Sequence, residues 1–110
     1  MSLSFEERCH TFYDKYCLNK YIIKRCKTIN SIVLTDFIVS FYNCKTQWYK
    51  YNNCIFFHNI VSKRMLDYIF LINLDNNIVL RGLFIPVDGI YDFEIFPLFF
   101  SELICSLFTF

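Results

Sequence analysis

Three short polar turns divide the second half of this chain into apolar runs, and that punctuation restricts its possible folds more than any other feature. Asn52-Asn53, Asp75-Asn76-Asn77 and Asp88-Gly89 are built from residues that tolerate the positive φ of a tight turn. The runs between them, 48–51, 54–57, 66–74, 78–85 and 90–96, are strand-length and rich in Ile, Phe, Tyr and Val. Runs joined by turns this short pair antiparallel, so the sequence predicts an antiparallel β-meander of four to five strands. In the last run Ile90, Asp92 and Glu94 alternate with Tyr91, Phe93 and Ile95, which predicts one wet face and one buried face. Pro86 belongs at a strand end or edge, and Pro97 ends the sheet. Residues 98–108 then close the chain as a short C-terminal helix.

The first half reads as helix. Ser4 and Glu7 form a capping box, and a helix is predicted over residues 5–27. Its buried side is expected to hold Phe5, Phe12, Leu18, Ile22, Ile23 and Cys26, and its wet side Tyr13, Tyr16, Lys20, Lys24 and Lys27. A break near Asn19 would split this helix and undo the alignment. A second helix, capped by Asn30 or Ser31, turns Val33, Leu34, Phe37, Ile38 and Phe41 inward. Ile32-Val33-Leu34 would serve a strand equally well. The fold class is α+β in a single domain of 110 residues: two N-terminal helices, the meander and the short C-terminal helix.

Composition bounds the class. Hydrophobic residues make up 55% and charged ones 19%, which excludes a disordered chain. Fourteen Phe and eight Tyr give the small domain more large apolar groups than it can hide, and a leftover patch favours a partner or self-association. Phe, Tyr, Ile, Asn and Lys share AT-rich codons, so codon bias alone would produce this enrichment. The first seven residues hold two acids and lead into no apolar run, unlike a secretory signal. Six cysteines without a secretory route are expected as reduced thiols, in the cytoplasm or nucleus. The apolar stretch 95–110 is sixteen residues long, short of the ~20 that span a bilayer, so no membrane span is expected.

Catalytic and metal-binding patterns are sparse. The chain has no Cys-x2-Cys pair and no Gly-rich phosphate loop. Cys54 and His58, four apart on a strand, would stand about 13 Å from each other. No cofactor, metal or catalytic residue is assigned. A cysteine or metal enzyme, in the first case pairing a thiol with His10 or His58, is the third reading.

Charge gives the functional lead. Residues 15–64 hold nine Lys/Arg and one acid, whereas residues 65–110 hold six acids and one base. Such segregation steers partners of one sign. Tyr13, Tyr16, Lys20, Lys24 and Lys27, with Trp48 and Lys50, make the expected partner-binding set. The function expected is a small non-enzymatic interaction protein or complex subunit docking an acidic partner. The alternative is a nucleic-acid-binding accessory protein using the same residues together with Trp48, Tyr49, Lys50 and Tyr51.

Residues 67–84 (Asp-Tyr-Ile-Phe-Leu-Ile-Asn-Leu-Asp-Asn-Asn-Ile-Val-Leu-Arg-Gly-Leu-Phe) also resemble the central hairpin of the CKK microtubule-binding domain of CAMSAP/Patronin proteins, with a helix upstream at similar separation. The resemblance covers under half the chain and implies a basic face binding acidic tubulin surfaces. No site residue carries over from it.

Overall fold

A computed structural model describes residues 3–18, 31–61, 67–75, 78–85 and 89–97. Two helices, α1 (Phe5–Leu18) and α2 (Ser31–Asn43), precede five strands: β1 (Tyr49–Tyr51), β2 (Cys54–His58), β3 (Asp67–Asn73), β4 (Ile78–Ile85) and β5 (Gly89–Pro97). The strands form one antiparallel sheet in chain order, β1-β2-β3-β4-β5. The α+β meander expected from the turns is therefore present. Asn52 takes φ 53°, the left-handed conformation that asparagine tolerates, and Tyr51 pairs with Cys54 across the turn. The expected C-terminal helix, and helical residues beyond Leu18, lie outside the described residues.

The helices cover opposite faces of the sheet. Cys9, Phe12 and Tyr16 of α1 pack on Cys54, Phe56, Ile69, Leu71, Ile78, Leu80 and Phe84. Val33, Phe37 and Phe41 of α2, followed by Cys44, pack on Ile55, Phe57, Phe70, Ile72 and Val79. The two lists alternate along each strand because successive side chains point to opposite faces. Covering both faces explains why β2 and β3 carry unbroken apolar runs at 54–57 and 68–72: a strand with one wet face alternates, and one buried on both sides does not.

Several bonds fix the helices in place. Ser4 Oγ accepts the Glu7 N–H at 3.1 Å, the cap expected from the sequence. Arg8 pairs with Asp67 near the start of α1, and Asn73 donates to the Tyr16 hydroxyl at 2.9 Å near its end. On the other face Asp36 lies 3.8 Å from Arg81, whose guanidinium sits 5.1 Å from the Tyr68 ring centroid. Ser40 Oγ donates to Asn59 Oδ1 and accepts the Ile60 N–H.

The helix-face assignment holds for α2 and fails in part for α1. Val33, Phe37 and Phe41 are buried as expected. In α1, Tyr16, expected on the wet side, is only 5% exposed and faces the sheet. At 100° per residue, Phe5, Cys9, Phe12 and Tyr16 fall within about 60° of arc, and this is the packed stripe. The expectation drew its phase from residues 5–27, of which α1 is described over Phe5–Leu18.

Candidate interaction surface

The half-exposed chemistry of the described residues gathers where α1 meets the edge strand β1. Tyr49 and Tyr51, two apart on a strand, share a face, and their rings lie nearly parallel with centroids 6.4 Å apart. His10 and Tyr13, three apart on a helix, meet them from above. His10 Nε2 lies 2.6 Å from the Tyr49 hydroxyl, and its ring centroid is 4.3 Å from that of Tyr51. Tyr13 stands edge-on to Tyr51 at 5.0 Å, a favourable quadrupolar arrangement. The Tyr13 phenol meets the side chains of Cys17, which raises its pKa, and of Asn52, which lowers it by less. Cys17 is exposed on the same side of α1 as His10 and Tyr13, while Lys15 and Lys50 are exposed on other sides of α1 and β1.

The other residues of the expected binding set are placed differently. Trp48 is half-buried, its ring 4.4 Å from Phe41 and its Nε1–H donated to the Phe41 carbonyl. Lys50 is exposed, but strand alternation turns it away from Tyr49 and Tyr51. Lys20, Lys24 and Lys27 lie outside the described residues. Tyr13 therefore joins a surface cluster, Tyr16 joins the core, and Trp48 is tied to α2. His10 was missing from the expected residues, and Tyr49 and Tyr51 entered only through the nucleic-acid alternative. The i, i+2 tyrosines and the i, i+3 His-Tyr pair carried that signal, which emerges once α1 is docked on β1.

A second polar corner lies where α1 begins. Asp67, paired with Arg8, is 3.8 Å from His58 Nε2, and the Phe5 ring covers the imidazole with centroids 4.1 Å apart. Burial, helped by the Arg8 charge, lowers the His58 pKa. The His58 carbonyl accepts the Cys44 thiol at 3.4 Å. Cys54 lies at the other end of β2, with its thiol donated to Asn53. Among the described residues no group of three or more His, Cys, Asp or Glu side chains could hold a metal ion.

Cysteine chemistry separates by burial. Cys9 and Cys54 are pushed up to about 12, in both cases mainly by burial. At neutral pH both remain thiols, and the thiolate is the nucleophile. Iodoacetamide is therefore expected to alkylate exposed Cys17 far faster than Cys9 or Cys54 in the native protein, read by peptide mass spectrometry. Equal rates at the three sites would contradict this packing.

Comparison of the chain with known protein families, curated proteins and solved structures finds no match. Residues 67–73 and 78–84 pair antiparallel, from Asp67 with Phe84 to Asn73 with Ile78, and most of their apolar residues are sheet core while Leu74 is exposed. No helix among the described residues is long and apolar enough to cross a membrane.

Proposed function

We propose that the protein is a small non-enzymatic interaction module that docks an acidic protein partner on the flank formed by α1 and β1. The observation that carries this reading is the half-exposed ring group of His10, Tyr13, Tyr49 and Tyr51, held in fixed geometry at a sheet edge. Rigid aromatic rings with a polar tip are the residues that concentrate binding energy at protein interfaces. Charge supplies the sign: Lys20, Lys24, Arg25 and Lys27 follow α1 in the sequence. These bases steer an acidic surface toward the rings.

The protein reading is favoured over the nucleic-acid one by the fate of two rings. Stacking on bases needs open aromatic faces, and Tyr16 is buried while Trp48 packs on Phe41. The test compares binding to immobilised poly-L-glutamate and to single-stranded DNA at low and high salt. The wild-type chain is expected to prefer polyglutamate. Lys20/Lys24/Lys27→Glu is expected to weaken that binding at least about tenfold, and Tyr13→Ala to weaken it further. Preference for DNA with a steep salt dependence would support the nucleic-acid reading instead. Unchanged binding in both variants would remove this flank from consideration.

A further inference from the structure

Strand β1 ends the sheet on one side, and its outer edge carries backbone groups that β2 does not use. A two-residue turn joins Tyr51 to Cys54, which makes them a pair that exchanges both of its backbone hydrogen bonds. Bonded and non-bonded pairs alternate along an antiparallel ladder. Lys50, opposite Ile55, therefore turns its N–H and C=O away from β2. Among the described residues no backbone group of another element meets them. The Lys50 side chain is exposed, on the face of β1 opposite to that of Tyr49 and Tyr51.

We propose that the acidic partner docks by adding a strand to this edge: an extended segment, antiparallel to β1, with one carboxylate side chain between two apolar ones. This rests on the α1–β1 flank being the docking surface and names the form the partner takes there. The backbone selects a strand, since Lys50 donates its N–H to the residue opposite and accepts an N–H from it. Alternation then sets the side chains. The residue opposite Lys50 points to the Lys50 side, where a carboxylate pairs with the ammonium. Its two neighbours point to the other side, where apolar groups meet the half-exposed rings of Tyr49 and Tyr51. The same lysine selects against a second copy as the occupant. Two β1 edges paired about a two-fold axis through their centres set the two Lys50 ammoniums opposite each other, and like charges so placed repel.

The test is NMR titration of the ¹⁵N-labelled full chain with the capped peptide Thr-Val-Glu-Val-Thr and with the same peptide methylated on its glutamate backbone nitrogen. The methylated peptide keeps every side chain but cannot donate to the Lys50 carbonyl. The unmodified peptide is expected to shift Tyr49, Lys50 and Tyr51 and to slow exchange of the Lys50 amide, which exchanges fast in the free chain. Methylation is expected to weaken binding at least about fivefold, the usual worth of one backbone hydrogen bond. Lys50→Glu is expected to lose this peptide and to bind its Lys-for-Glu counterpart instead. Binding at the rings that ignores both changes would overturn strand addition and leave the docking surface standing. No shift at the flank with this peptide or with oligo-glutamate would overturn both. A Lys50 amide already protected in the free chain would mean that the chain itself covers the edge, and would overturn strand addition as well.

Discussion

Gly82→Ala is expected to destabilise the protein by about 1–3 kcal/mol, the usual cost of overpacking a filled core. Gly82 lies within β4 beneath α1, and a Cβ built there would come 2.5 Å from Phe12 Cε2 and 2.9 Å from Cζ. Where room exists, replacing a strand glycine by alanine stabilises by about 0.5–1 kcal/mol through the unfolded chain. Here the sign reverses, because Phe12 is fully buried and its ring is bounded by Phe56 and Phe84 at 6.0 and 5.9 Å. The measurement is urea denaturation, with a lower midpoint and an unchanged slope expected. In the double variant Gly82→Ala/Phe12→Leu the two losses should not add, since the smaller side chain clears the space the new methyl needs. A Gly82→Ala protein as stable as wild type would mean that α1 does not lie this close to the sheet.

Phe37→Ala should cost more, about 3–5 kcal/mol, as for other large-to-small changes in a packed core. Phe37 is 3% exposed, and its ring centroid lies 5.8 Å from Phe41, 5.5 Å from Phe57 and 5.4 Å from Phe70. Removing the ring empties the centre of the α2 face of the sheet. Small domains are stable by only about 5–15 kcal/mol, so the variant loses a large share of its total. Ile32→Ala on the same helix is the control and should stay within about 0.5 kcal/mol. A loss below about 1 kcal/mol for Phe37→Ala would contradict the docking of α2 on β2 and β3.

The turns made the sheet legible. Asn52-Asn53 and Asp75-Asn76-Asn77 announce hairpins by local chemistry alone, and local chemistry decides a two- or three-residue connection. The unbroken runs Cys54–Phe57 and Ile69–Ile72 also carried the two-sided burial of the sheet, although no run reveals which helix covers which face. The inward face of α2 was readable because Val33, Phe37 and Phe41 repeat at helical spacing within the helix's true bounds. Periodicity located α1 but put Tyr16 on its wet side, because the expected phase leaned on residues 18–26 as well as on Phe5 and Phe12. Tyr16 illustrates the remaining limit. A tyrosine suits a wet helix face or a core equally well, and the choice rests on whether its hydroxyl finds a partner. Asn73, 57 positions later, supplies one. The ring group at the flank is non-local for the same reason, since His10 and Tyr49 are 39 positions apart.

The most direct test of the α1–β1 flank as the docking surface is residue-resolved NMR of the ¹⁵N-labelled chain titrated with an acidic peptide such as oligo-glutamate. Progressive shifts are expected at His10, Tyr13, Tyr49 and Tyr51, with Ile32, Val39 and Tyr42 on α2 unmoved. Shifts confined to α2, or no shifts under conditions where the peptide binds, would contradict it.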